Sequence, residues 1–192
     1  MTDNKRTSKL LSFKCNQCGT CCREPMVEIT HRDLQRLAKH TGMSAHSLVR
    51  LYDNSELEND DCEEDWIKLS YGKRKIGLQR KKNGDCMFLS ESSACTAYEA
   101  RPISCRIFPV DVVLDDDNKV SDFELSDVVT KKSIACKHTY GKNGSSDKFK
   151  KTATQAMTET VSYWKVLRQW NSLDQKGRKA EFVDFLISKS HK

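Results

Sequence analysis

The run Cys15-x-x-Cys18-x-x-Cys21-Cys22 places four thiols within eight residues, and no other feature of the chain restricts its folding as much. A two-residue spacer lets successive cysteines turn toward one centre. Gly19 supplies the freedom in φ that such a tight turn requires. Three cysteines at this rhythm match the opening of a bacterial ferredoxin cluster loop, where the fourth ligand comes from elsewhere. Zinc sites more often pair two local cysteines with two distant ligands. Either arrangement can draw on Cys86, Cys95, Cys105 and Cys136.

These eight cysteines are the candidate metal ligands, filling one four-cysteine site and a second site, or a polynuclear cluster. The Cys21-Cys22 doublet suggests two destinations, because adjacent side chains tend to point apart. The ninth cysteine, Cys62, sits in Asp60-Asp61-Cys62-Glu63-Glu64-Asp65. Those acids disfavour a thiolate, so Cys62 reads as an exposed free thiol and not as a ligand. Among the histidines only His138, in Cys136-Lys-His138, is near enough to a cysteine to be an alternative ligand. The other four read as surface side chains.

The odd cysteine count argues against a purely disulfide framework. Basic residues near Met1 are followed by only Leu10-Leu11, which is no signal-peptide core. No apolar run approaches the ~20 residues of a membrane span. The expected setting is therefore the reducing cytoplasm, with no membrane association. A hydrophobic content of 37% in 192 residues predicts a thin core, which bound metal would staple.

Charge is distributed in blocks. Residues 51–65 carry eight acids and no Lys or Arg, whereas residues 128–192 carry fourteen basic residues against five acids. The basic tail reads first as a solvated helical surface. A nucleic-acid or unidentified protein partner is the sharper but less supported reading.

Residues 1–9 are polar, without periodicity, and read as disordered. Residues 13–25 read as an irregular loop shaped by metal. Thr30 is a helix N-cap with Asp33 at N3, Leu34, Leu37 and Ala38 form the apolar face, and Gly42 ends the helix. Ser44 is expected to cap a second short helix in which Ala45, Leu48, Val49 and Tyr52 share a face. Alternation predicts strands around 67–71 and 75–81. Asn83-Gly84 then folds the second strand back onto Cys86-Met-Phe-Leu89. Residues 110–114 and 120–125 form another hairpin, and residues 141–146 form a Gly/Ser linker. Helices follow at about 148–170, with Ala153, Ala156, Met157, Val161, Trp164 and Leu167 on one face, and at 178–188, with Phe182, Val183, Phe185 and Leu186.

Phe13-Lys-Cys15-Asn-Gln-Cys18-Gly19-Thr-Cys21-Cys22-Arg23 resembles the opening of the C-x-x-C-x-x-C-C cysteine-cluster family, also called YkgJ-type. Cys86-Met-Phe88-Leu89, Cys95-Thr-Ala-Tyr98-Glu-Ala-Arg101-Pro102 and Cys105-Arg106-Ile-Phe108-Pro109 resemble its later blocks. The likeness covers roughly residues 13–138. It implies chelation of zinc, of iron, or of an iron–sulfur cluster. Arg23, Arg101 and Arg106 lie beside the cysteines or within the blocks, where cationic donors can offset thiolate charge. They serve equally well as ordinary ion-pair partners for the acidic loops. Phe13, Phe88, Tyr98 and Phe108 read as apolar cover.

The expected architecture is α+β: a small metal-stapled cysteine-cluster domain over 10–145, with short helices and a small antiparallel sheet. Residues 146–192 add a C-terminal helical pair. The leading function is binding of iron, as an iron–sulfur cluster, or of zinc. Two other classes stay open: an iron–sulfur redox or modification enzyme, and a structural-zinc module that engages its partner through the basic tail.

Overall fold

The computed structural model describes residues 13–14, 18–23, 26–57, 63–115, 117, 120–125, 139–140, 146–174 and 176–189. The expected disorder of residues 1–9, Cys62 and most of the 141–146 linker fall outside these. The fold is α+β, as the sequence implies. Three small antiparallel sheets and short helices carry the first part of the chain, and two longer helices close it.

Strand β1 (Phe13–Lys14) pairs with the distant β7 (Thr139–Tyr140), Lys14 opposite Thr139. The cysteine-rich opening therefore contains a short strand and is not wholly irregular. Helix α1 (His31–Thr41) starts where Thr30 predicts it. The Thr30 hydroxyl accepts from the Asp33 amide, and Asp33 accepts from the Thr30 amide at 2.9 Å, a reciprocal cap that satisfies two otherwise orphaned donors. Gly42 closes the helix with φ 71° and donates its amide to Ala38. Leu34 and Leu37 are buried on the core face.

The second helix is shorter than expected. Helix α2 covers Ala45–Leu48 only, and Val49–Tyr52 forms β2, a strand of the three-stranded sheet. Val49 and Tyr52 are buried as expected, but through strand pairing. Strand β4 (Gly72–Leu78) takes β2 on one side and β3 (Ile67–Leu69) on the other. A β-branched and aromatic stretch suits that position, and tertiary pairing overrides the i, i+3 pattern. Gly77 permits the close fit: a Cβ there would lie 2.7 Å from the Tyr52 ring.

Two further strands, β5 (Val110–Leu114) and β6 (Val120–Leu125), form the expected hairpin. Helix α3 (Ile103–Ile107) follows Pro102, and helices α4 (Ser146–Asn171) and α5 (Lys179–Lys189) occupy the predicted C-terminal positions. The buried face of α4 is rotated from the expected one. Ala153, Ala156 and Leu167 are buried, joined by Tyr163, Val166 and Trp170, whereas Met157, Val161 and Trp164 are only half-buried.

The C-terminal helices complete the core. Leu167, Trp170, Phe182 and Leu186 lie in one cluster with Leu34, Leu37, Ile67, Leu78 and Leu89. Helix α4 also covers the edge of β3. Asn171 donates to the Trp66 carbonyl and accepts from the Lys68 amide, both at 2.8 Å, and Trp170 Nε1 donates to the Lys68 carbonyl. A side-chain amide thus takes the place of a further strand and blocks edge-to-edge pairing. No helix among the described residues is long and apolar enough to cross a membrane.

His31 departs from the surface position expected of an isolated histidine. It is buried and stacks on Tyr163, centroids 6.2 Å apart. Burial, reinforced by Arg32, holds its pKa below the ordinary 6.5. The unfolded chain therefore takes up a proton that the folded chain resists as pH falls past 6.5. Stability is fullest above that value and declines as pH drops toward the folded pKa. Chemical denaturation at pH 7.5 and 5.5 checks this: His31→Phe, which keeps the stacking, should lose less stability between the two pH values than the wild type. Equal losses would contradict it.

Candidate metal centre

Several chain segments deliver the cysteines. In the first, Gly19 turns the backbone with φ 71°, and Cys21–Arg23 forms a single 3-10 turn in which the Cys22 amide donates to the Gly19 carbonyl at 3.1 Å. The Cys18 sulfur lies 3.2 Å from the Thr20 hydroxyl. Gly19 is buried against the loop that carries Cys95. A Cβ at Gly19 would stand 2.8 Å from both a Leu89 methyl and the Ser93 carbonyl oxygen. Glycine is needed here for conformation and for space together.

The second segment is the Asn83-Gly84 turn, with Gly84 at φ 87°. It sets Arg80 opposite Cys86 in an antiparallel bridge, shorter than the strand pairing expected from sequence because β4 ends at Leu78. The Cys86 amide donates to the Cys22 carbonyl at 2.7 Å, which joins the first two segments directly. The third segment turns at Ser90–Ser93 and pairs Leu89 with Cys95.

The fourth segment is α3, which carries Cys105. Its first amide, from Ile103, donates to Asp33 Oδ1 at 2.8 Å, and the Ser104 hydroxyl donates to the Glu28 carbonyl at 2.9 Å. Asp33 thereby caps two helices. It also pairs with Arg36, whose guanidinium forks onto Glu159 of α4 with two 2.7 Å bonds. Arg36 is the reason Glu159 ionises below its ordinary range despite burial, which acts the other way.

The thiols act on one another. Hydrogen bonding with the Cys21 side chain, followed by burial, pushes the Cys22 thiol far up. Burial, with smaller contributions from Cys22 and Cys95, raises Cys86 to about 11. Cys105 is raised by burial first and then by Cys86, Cys22, Asp33 and Cys95. Each of these thiols disfavours charge on its neighbours, so a thiolate cluster at this place needs a cation.

Cys18, Cys21, Cys22, Cys86, Cys95 and Cys105 lie among the described residues, with Cys86 buried and the others half-buried. Cys15, Cys136 and His138, the remaining ligand candidates, fall outside the described residues, as does Cys62. Among the described residues no three His, Cys, Asp or Glu side chains stand as a ready-made ligand set. The donor chemistry nevertheless fits a metal. Soft sulfur donors come together from separate segments, the Gly19 cradle holds two of these segments in contact, and a buried cationic nitrogen, Arg80 Nη1, has no hydrogen-bond partner.

The arginines are held chiefly by backbone carbonyls. Arg23 donates to Gly19 at 3.0 Å, with Asp85 at 3.8 Å. Arg101 lies 3.6 Å above the Tyr98 ring and donates to the Tyr98 carbonyl. Arg106 donates to the carbonyls of Arg101 and Glu99. Phe88 is buried and Phe108 half-buried, whereas the Phe13 side chain is not among the described ones. Sequence reasoning missed Arg80, although the Asn83-Gly84 turn that it identified is what brings residue 80 opposite residue 86.

This assembly defines a cysteine-cluster domain. Residues 14–137, more than half of the chain, match the CxxCxxCC family model, described as "Putative zinc- or iron-chelating domain", and the chain belongs to that family. No curated protein and no solved structure matches it.

Gly19→Ala tests the cradle. It should introduce about 1–2 kcal/mol of left-handed strain and a clash with backbone that cannot move aside. Thermal unfolding should show the loss of stability, and thiol labelling should show faster reaction at the cluster. Unchanged melting and labelling would contradict the packing described.

Proposed function

We propose that this chain is a cytoplasmic metal-binding protein that holds zinc or iron, the iron as an iron–sulfur cluster, through Cys15, Cys18, Cys21, Cys22, Cys86, Cys95, Cys105 and Cys136. The observation that carries the reading is the approach of separate cysteine-bearing segments: the Cys86 amide donates to the Cys22 carbonyl at 2.7 Å, and Cys22 and Cys95 lie near enough to Cys86 and Cys105 to raise both thiols. The pairing of Lys14 with Thr139 adds to it, since Cys15 and Cys136 lie one and three residues along the chain from that pair.

A structural role for the metal is favoured. Between Leu78 and Ile103 the chain has only turns, isolated bridges and one 3-10 turn. Such a segment has little regular hydrogen bonding to fix it, and a thiolate-bound ion can contribute on the order of 10 kcal/mol to folding. In this reading residues 10–145 form the metal-binding unit and residues 146–192 its helical extension.

The test compares two substitutions. Cys105→Ser should lose bound metal and melt earlier than wild type. Cys62→Ser should keep both metal content and melting temperature. Elemental analysis of the purified proteins decides: full metal in Cys105→Ser, or lost metal in Cys62→Ser, would overturn the ligand assignment.

A further inference from the structure

Arg80 stands at the junction of the two backbones that present Cys22 and Cys86. It faces Cys86 across the antiparallel bridge. Its Nε donates to the Gly84 carbonyl, and its Nη2 reaches the Cys22 carbonyl at 3.4 Å. The third nitrogen, Nη1, is buried with no hydrogen-bond partner. Among the described residues no carboxylate forms an ion pair with Arg80. The hydroxyl of Tyr52, on the neighbouring strand, donates to the Leu78 carbonyl at 3.3 Å and also meets the Arg80 side chain, without satisfying Nη1.

A buried guanidinium nitrogen left without a partner is costly, about 1–3 kcal/mol or more for a charged group. A guanidinium remains protonated throughout the ordinary pH range, so the site cannot relieve that cost by neutralising it. Across the bridge Arg80 stands opposite Cys86, and its Nη2 reaches the backbone of Cys22, so its charge lies beside both residues that present sulfur. Four thiolates around one divalent ion carry a net charge of 2−, which a half-buried site must balance. The neighbouring Arg23 is more exposed and has Asp85 beside it.

We propose that Arg80 is the fixed counter-ion of the thiolate-held metal, a positioning residue whose free Nη1 is reserved for anionic sulfur. This inference rests on the metal-binding reading above and adds to it the residue that sets how much thiolate charge the centre tolerates. Because the charge is supplied before the metal arrives, the loop is prepared for a ligand set that is anionic as a whole.

Cobalt(II) provides the probe, since its thiolate charge-transfer absorption reports sulfur ligation directly. Wild type, Arg80→Gln and Arg80→Lys, each as the full chain, are titrated anaerobically with cobalt in competition with a chelator. Arg80→Gln should bind the same number of ions with 10- to 100-fold weaker affinity, the range for removing a partner outside the ligand shell. Arg80→Lys keeps the charge and loses the planar fork, and should stay within about tenfold of wild type. It also carries the test should Arg80→Gln fail to fold. Equal affinity in wild type and Arg80→Gln would overturn the counter-ion role and leave the metal reading intact. A loss in Arg80→Lys as large as that in Arg80→Gln would assign the effect to the fork bonds and likewise overturn it. Absence of thiolate absorption in the wild type would overturn the metal reading and this inference together.

Discussion

The buried carboxylate of Asp33 is the interaction on which most of the architecture converges. It accepts from the Thr30 amide and hydroxyl, from the Ile103 amide, and from Arg36. Burial pushes its pKa up, and these donors pull against that. One side chain therefore starts α1, starts the short helix that carries Cys105, and reaches Glu159 on α4 through Arg36. Removing one member of such a network leaves the others buried and unsatisfied, a loss of roughly 3–5 kcal/mol by comparison with other buried ion pairs. The C-terminal helices are linked in this way to the element that positions a candidate ligand.

The cysteine region is organised on a different principle. Regular hydrogen-bonded structure is sparse there, and two backbone contacts perform the positioning. The Cys86 amide meets the Cys22 carbonyl, and Gly19 packs without a side chain onto Leu89 and Ser93. The arginines around it spend many of their hydrogen bonds on carbonyls, so much of their positive charge is left for the sulfurs. The surroundings of the thiols thus combine burial, which opposes thiolates, with guanidinium charge, which favours them. A metal ion bound at these sulfurs would resolve that opposition.

Much of this was legible in the sequence, for identifiable reasons. Capping is local chemistry, so Thr30, Asp33 and Gly42 announce α1 unaided. Asn83-Gly84 marks its turn because few other dipeptides tolerate the required backbone angles. Helical periodicity over twenty or more residues locates α4. Non-local effects stayed hidden. The change from helix to strand at Val49 depends on β4 needing a second partner. The rotated face of α4, with buried Tyr163 and Glu159, depends on His31 and Arg36 of a helix more than one hundred residues earlier. The cysteine spacing shows which residues are candidates, and the family match supports chelation. Neither shows that the Cys86 amide meets the Cys22 carbonyl, or that Arg80 lies opposite Cys86.

The central claim is that the clustered sulfurs form a metal centre, and X-ray absorption at the edge of the metal that copurifies without air tests it most directly. The account predicts a first coordination shell dominated by sulfur, at about 2.3 Å for zinc. Iron with a further iron scatterer would identify a cluster. A first shell of oxygen and nitrogen alone would contradict the claim, because the ion would then be held somewhere other than by the cysteines.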